Sequence, residues 1–320
     1  MQNLRDLIID SRFFPVANFF YGHFKSLKKE IVDQELAADP LSGSEFETGE
    51  IELKSTDIRA YAEERLIGSL ATFPDSFYQV HPVACCQLVL LDLLNRYRFY
   101  DDRNALKRSE ELISALLENC VVANNVLLAR YDKNYWAFGI PRYKMKAPWH
   151  SGMAQGQLLS ALVKLYECTG SSHWLDHARR VAPSFDLIYK DNPNCWITAV
   201  DQRRCLWIAE FPRPNGFSFT LNGMIFGLIG LYDFARVTGD LRSAELFCGG
   251  VHTIERYIDK YRNEGQCSIY SRKPISFNEG YHTVHCGQLD FLAKVTGSLR
   301  LKKAAEQFIE DFPAKKPPPL

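Results

Sequence analysis

The sequence has no excess charge of either sign, since Lys+Arg and Asp+Glu both total 38 in 320 residues. No global field draws in nucleic acid or an anionic membrane, so any anionic ligand must be gripped by a local cluster of cations. A hydrophobic run long enough to span a bilayer is also missing. The apolar opening MQNLRDLIIDSRFFPVANFFYGHF is broken by Asp and Arg and ends without the small-residue cleavage site of a secretory leader. There is no GxGxxG, Walker loop, GxSxG or HExxH, and no CxxC pairs with another at finger-like spacing. The expectation is therefore no cofactor and no metal. The nine cysteines are an odd number, and Cys85, Cys86, Cys168, Cys248 and Cys286 lie in helix-like apolar surroundings. They resemble no disulfide framework and read as small core residues, which predicts a cytoplasmic protein.

What is present is a 46% hydrophobic content, enough for a large core, arranged in a repeating pattern. Residues 1–80 read as an irregular arm: an apolar opening, a basic patch at 25–29, an acidic Gly/Ser-bearing stretch at 39–50 and a strand-like alternation at 51–54. From 81 to 312 the texture is that of amphipathic helices, and 313–320 is a proline-rich tail expected to pack nothing. Three helices end in Thr-Gly, at Thr169-Gly170, Thr238-Gly239 and Thr296-Gly297, where glycine is the expected helix stop. Core-type residues stand ten, seven and four places before each threonine: Leu159, Leu162, Leu165; Leu228, Leu231, Phe234; Cys286, Leu289, Leu292. A second helix follows each turn, and a fainter copy at 82–121 brings the number of helical hairpins to four. Copies 69 and then 58 residues apart are too long and uneven for a tetratricopeptide or HEAT array. The segments 124–148 and 191–217 between them are rich in Trp, Tyr, Arg and Asn and have the length of functional loops. A superhelical binding scaffold would explain the repetition. We favour an all-α toroid, with inner helices around a funnel and the long loops building a site.

Four stretches could carry chemistry. Trp149 to Gln157 opens the first strong repeat with Gln155, Gln157 and two glycines. Each glycine costs the helix about 1 kcal/mol against alanine, so close packing or a ligand is expected there. Glu210-Phe211-Pro212 follows, with Asn222-Gly223 twelve residues on. Pro212 and Pro214 fix φ and remove backbone donors, so no helix starts before about Phe217 and Glu210 sits on a rigid loop at the mouth of a buried helix. A solvated surface glutamate is the plainer alternative. In the third stretch Tyr270 stands beside Arg272 and Lys273, cations that favour phenolate or grip a carboxylate. The fourth, Tyr281-His282-Thr283-Val284-His285, has two histidines without an acidic third metal ligand, so they are expected to hydrogen-bond to substrate or core. A carboxylate, tyrosines, cations and amides suit cofactor-independent acid/base chemistry.

These blocks resemble the C-terminal domain of D-glucuronyl 5-epimerases, which convert glucuronic to iduronic acid in heparan-type polysaccharides. The resemblance runs from about 81 to 312. It rests on Pro82 and Gln87, W-x-S-G-M-A-Q-G-Q at Trp149 to Gln157, the E-F-P and L-N-G-M-I-F-G-L-I-G-L-Y-D blocks, and Tyr281-His282-x-x-His285-x-x-Gln288-Leu289. It implies an incomplete α/α toroid and carries acid/base roles to Glu210, Tyr281 and Tyr270. Trp149, Gln155, Phe211, Asn222, Arg272, His282 and His285 are the expected substrate-binding residues, with Arg272, His282 and Asn222 placed to stabilise charge on the substrate carboxylate. Where the animal motif reads Glu-Tyr-Pro, this chain has Glu210-Phe211-Pro212, so one phenol is absent. The expected partner is a uronic-acid-containing glycan or sugar, with nucleic acid excluded and a homodimer left open. A polysaccharide lyase, which starts with the same proton abstraction, and a catalytically degenerate glycan-binding relative are the alternatives.

Overall fold

The computed structural model describes residues 44–51, 73–123, 125–189, 191, 195–214 and 216–313. After a short helix, α1 (Asp75–Gln79), come four helical hairpins. In the first, α2 (Pro82–Leu88) runs through a π turn at Val89–Leu93 into α3 (Leu94–Tyr100), and α4 (Arg103–Glu118) returns. The others are α5 (Gly152–Thr169) with α6 (Ser172–Val181), α7 (Leu221–Thr238) with α8 (Leu241–Tyr257), and α9 (Glu279–Thr296) with α10 (Leu299–Asp311). The first member of each hairpin packs on the first member of the next, from α2 through α5 and α7 to α9, and the second members cover them from outside. This is the incomplete α/α toroid that the sequence predicts.

The recurring Thr-Gly turn has one construction in all three places. Thr169, Thr238 and Thr296 each donate their hydroxyl to the carbonyl four residues back, at 2.7 Å. Each hydroxyl also accepts from the backbone N–H two residues on, at 3.2 Å. Glycine between them takes the left-handed conformation, with φ of 69°, 71° and 74°, that L side chains resist. Asp240 and Ser298 then cap the following helix through Ser243 and Leu301 N–H. The sequence repeat is thus a repeat of hydrogen bonds that fold each outer helix back on its inner one.

The glycines of α5 and α7 serve helix packing. A Cβ on Gly156 would lie 2.4 Å from the Gly227 Cα, and one on Gly230 would lie 2.3 Å from the Gly156 carbonyl oxygen. The two inner helices therefore touch backbone to backbone, which draws their first turns, and the loops before them, together.

Those loops hold four two-stranded antiparallel hairpins that helical periodicity does not announce. They are β1 (Val121–Ala123) with β2 (Val126–Leu128), β3 (Tyr135–Trp136) with β4 (Lys144–Met145), β5 (Thr198–Val200) with β6 (Leu206–Ile208), and β7 (Ile269–Arg272) with β8 (Ile275–Phe277). All lie at the end of the toroid where α5, α7 and α9 begin. The β5–β6 turn is closed by buried Asp201, which accepts from the N–H of Arg203 and Cys205, from the Trp207 indole at 3.0 Å and from the Tyr257 hydroxyl at 2.9 Å. One carboxylate thereby locks the turn and docks it on α8.

Of the predicted N-terminal arm, the described piece 44–51 lies along α8: the Phe46 ring occupies the space that a Cβ on Gly249 would need, and Glu47 N–H donates to the Arg204 carbonyl at 2.9 Å. The strand-like alternation at 51–54 falls outside the described residues except for Ile51, as does the proline-rich tail except for Pro313. Among the described residues no helix is long and apolar enough to cross a membrane.

The α5–α7 contact predicts a contrast between two alanine substitutions. Gly156→Ala should destabilise the protein by about 1–3 kcal/mol or more, because backbone on both sides must move. Gly287→Ala in α9, where nothing lies within 4 Å of the new Cβ, should instead be neutral or stabilising by up to about 1 kcal/mol. Urea unfolding midpoints of the two variants check this.

Candidate active site

Glu210 is delivered by β6 and held from both sides. The preceding residue, Ala209, donates its N–H to the Ile197 carbonyl at 2.7 Å and accepts the Gly152 N–H, at the start of α5, at 2.8 Å. The Glu210 side chain then lies across the first turn of α7 in space that exists because residue 223 is glycine. A Cβ there would be 2.4 Å from Oε2 and 2.6 Å from the Glu210 Cβ. The carboxyl is 6% exposed, which rejects the solvated-glutamate alternative. Burial raises its pKa to about 7, against the pull of the Thr220 and Tyr270 hydroxyls, which favour the ionised form. Its Oε1 accepts the Tyr270 hydroxyl at 3.1 Å, and Oε2 has no hydrogen-bond partner.

Tyr270 reaches Glu210 because β7 is tied to the approach to α7. Lys273 N–H and the Ser271 hydroxyl both donate to the Ser218 carbonyl, at 3.1 and 2.7 Å, and Arg272 N–H donates to the Phe219 carbonyl at 3.4 Å. The β7–β8 register shifts between Ile269 and Ser271, an irregularity of the kind that re-aims the side chain between them, here Tyr270. Phe219 itself has φ of 52°, left-handed backbone of the kind that concentrates at functional sites. Tyr281, in the first turn of α9, places its ring 4.7 Å from that of Tyr270. The three expected acid/base residues therefore form one row: carboxyl, phenol, phenol.

An aromatic wall continues from this row. Phe138, also left-handed with φ of 61°, lies 6.1 Å from Tyr270, 5.9 Å from Phe211 and 6.1 Å from Tyr143. Tyr135 lies 5.7 Å from Phe211 and 6.0 Å from Trp149, which stacks on Tyr131 at 4.2 Å. Trp149 and Phe211 thus both stand in this wall.

The other expected substrate contacts are placed differently. Gln155 is engaged at both ends of its amide: the oxygen accepts Ala129 N–H at 2.7 Å, and the nitrogen donates to the Leu127 carbonyl and the Ser184 hydroxyl. It fastens β2 to α5 and is a packing residue. His282 accepts Ser268 N–H at Nδ1 and therefore carries its proton on Nε2, 2.9 Å from the Phe312 carbonyl. His285 Nδ1 is 2.8 Å from the Ser268 hydroxyl, and burial pushes its pKa down to about 3, so the ring is neutral. Both histidines clasp the chain leading into β7 through Ser268, while the buried Nε2 of His285 has no hydrogen-bond partner. Arg272 directs Nη1 to the Lys260 carbonyl at 2.9 Å. Asn222 is fully buried in the first turn of α7, and its Oδ1 has no hydrogen-bond partner.

Sequence reasoning passed over Arg213. The proline-flanked arginine three residues after the glutamate was the available signal. Its guanidinium carbon lies 4.2 Å from the centroid of the buried Tyr143 ring, and Nη2 donates to the Phe217 carbonyl at 2.9 Å. Among the described residues, no group of three or more His, Cys, Asp or Glu side chains is arranged to hold a metal ion.

The molecule is thus an α/α toroid with a buried carboxyl–phenol pair at its loop-bearing end. The family described as the D-glucuronyl C5-epimerase C-terminus matches residues 124–310, and the chain belongs to that family. It is 26% identical over 203 residues to D-glucuronyl C5-epimerase of Caenorhabditis elegans, covering 56% of this chain and 32% of that protein. It is 25% identical over 160 residues to the uncharacterized protein MJ1128 of Methanocaldococcus jannaschii, covering 50% of this chain and 51% of that protein. The chain thus matches about a third and about half of the lengths of these two relatives. Among solved structures, a sugar epimerase from a ruminal bacterium shares the fold, with a TM-score of 0.51 and 14% identity over 72% of this chain and 59% of that one.

The raised pKa of Glu210 has a consequence for stability. The folded protein resists ionising this group between the ordinary value of 4.5 and about 7, so its stabilising contribution is full below 4.5 and is lost as pH rises through 7. Glu210→Gln, which cannot ionise, should therefore be more stable than the parent at pH 8, by on the order of 2–3 kcal/mol. The gain should vanish near pH 4. Chemical denaturation at the two pH values measures it.

Proposed function

We propose that this protein is a cofactor-independent carbohydrate epimerase that inverts carbon 5 of a uronic acid residue in a glycan. The observation that carries the reading is the buried Glu210 carboxyl, pKa about 7, bonded to the Tyr270 hydroxyl and followed by Tyr281. A general base works best when its pKa lies near the operating pH, and desolvation supplies that here. Family membership supports the epimerase class.

In this reading Glu210 takes the carbon 5 proton, and the electron pair left on carbon moves into the sugar's carboxylate, which becomes an enediolate. Tyr281 donates its phenolic proton to carbon 5 from the opposite face. Tyr270, bonded to Glu210 and packed on Tyr281, returns the proton from the carboxyl to the phenolate and restores both groups. Charge on the enediolate needs donors or cations nearby, because the barrier to carbon–hydrogen cleavage falls only as that charge is stabilised. The aromatic wall of Trp149, Tyr135, Phe138 and Phe211 suits the apolar faces of sugar rings.

The test is deuterium incorporation from heavy water into glucuronate-containing oligosaccharides, read by mass and NMR. The parent protein should incorporate deuterium at carbon 5 without unsaturation, at a rate that rises through about pH 7. Glu210→Gln, Tyr281→Phe and Tyr270→Phe should each lower that rate by roughly 10²–10⁴-fold with the sugar still bound. An unsaturated product would make the protein a lyase, and binding without exchange would make it a glycan-binding relative.

A further inference from the structure

The long loop between β3 and β4, and the proline-flanked arginine beyond Glu210, bring two guanidinium groups onto one side chain. Tyr143 is buried, with 4% of its surface exposed. The Arg213 guanidinium carbon lies 4.2 Å from its ring centroid and that of Arg142 lies 5.0 Å away. On the paired strands, Lys144 stands over the Trp136 ring at 4.9 Å. Among the described residues, none of the three cations has a carboxylate within ion-pair distance. By contrast Arg236 is matched with Glu167, Arg262 with Asp311 and Arg108 with Asp75.

The Arg213 side chain is half-buried, and its Nε–H is withdrawn from solvent without an acceptor. A buried donor left without a partner costs more than an exposed one, most of all on a charged group. The ring face of Tyr143 offsets part of that cost, but two like charges on one ring repel, and among the described residues no carboxylate pairs with either. Burial, with Arg142 beside it, drives the Arg213 pKa down to about 10, the direction expected of a cation missing its counter-charge. The pair is also close to the row of acid/base groups. Tyr143 meets Phe138 at 6.1 Å, and Phe138 meets both Phe211 and Tyr270 at about that distance. Arg213 belongs to the same rigid loop as Glu210.

We propose that Arg213, with Arg142 beside the same Tyr143 ring, forms an anion-binding site for a carboxylate or sulfate carried by the glycan. The site deepens the epimerase reading and rests on it. It gives the otherwise neutral protein a local grip on a negatively charged substrate, and it does so with guanidinium groups, whose planar donors match carboxylate and sulfate oxygens. Arg272, the cation that the sequence suggested for this role, has Nη1 turned to the Lys260 carbonyl. The anion is either the carboxylate of the reacting sugar or a charged group on its neighbour.

Binding, measured by calorimetry in a Glu210→Gln background so that no turnover occurs, tests this. The probes are a trisaccharide with central glucuronic acid, the same compound with that carboxyl reduced to an alcohol, and the reduced compound sulfated on a neighbouring sugar. The Arg213 form should prefer at least one anionic probe to the uncharged one. Arg213→Gln should lower affinity for that probe at least tenfold and leave the uncharged probe unchanged, and Arg213→Lys should recover part of the loss. Loss confined to the central-carboxylate probe assigns the reacting sugar, and loss for the sulfated probe assigns its neighbour. An equal loss for all probes, or no loss for any, overturns the anion site, and if the parent protein still exchanges the carbon 5 proton the epimerase reading survives. Failure of the Arg213 form to bind any probe, with no exchange by the parent, overturns both.

Discussion

The hydrogen bond from the Tyr270 hydroxyl to the Glu210 carboxyl is the contact on which the rest of the site depends. A carboxyl so little exposed resists ionising, yet a base must ionise to act. Burial alone would hold Glu210 protonated, and the two hydroxyls of Tyr270 and Thr220 favour the ionised form. The balance falls at about 7, where both forms are populated at neutral pH. The phenol supplies the donor that a desolvated carboxylate requires.

Bringing the two together is the work of the toroid. Glu210 arrives on β6, Tyr270 on β7 and Tyr281 on α9, sixty or more residues from the glutamate in the last two cases. Their meeting follows from the backbone contact of α5 and α7 at Gly156, Gly227 and Gly230, which narrows the inner ring, and from the seat that Gly223 leaves for the glutamate side chain. The Asp201 knot and the Ser268–His282–His285 clasp then fix the two loops that carry the carboxyl and the phenol. The proposed proton transfers need such rigid supports, since small errors in distance are costly to them.

Much of this was legible in the residues. The Thr-Gly repeats marked three hairpins because the threonine hydroxyl makes the same two hydrogen bonds each time, and the proline-bracketed Glu210 marked a rigid loop at a helix mouth. The family resemblance named Tyr270 and Tyr281. What the sequence concealed was direction. Gln155 and His282 look like ligand-binding residues in a string, and only three-dimensional contacts reveal that their polar atoms are engaged by Ala129, Leu127, Ser184, Phe312 and Ser268, with His285 Nδ1 tied to the same serine. Arg213 and Arg142 were hidden for the opposite reason. Their significance lies in the absence, among the described residues, of a carboxylate beside them, which depends on the fold and not on neighbours in sequence.

Desolvation and a phenolic hydrogen bond poise Glu210 near neutrality. An infrared titration, with the Glu210→Gln spectrum subtracted to isolate this one carboxyl, measures that directly. The protonated-carboxyl band should give way to the carboxylate band with a midpoint near 7. A midpoint in the ordinary range, near 4.5, would contradict it, since a base already fully ionised well below neutrality is one that the protein has left in water.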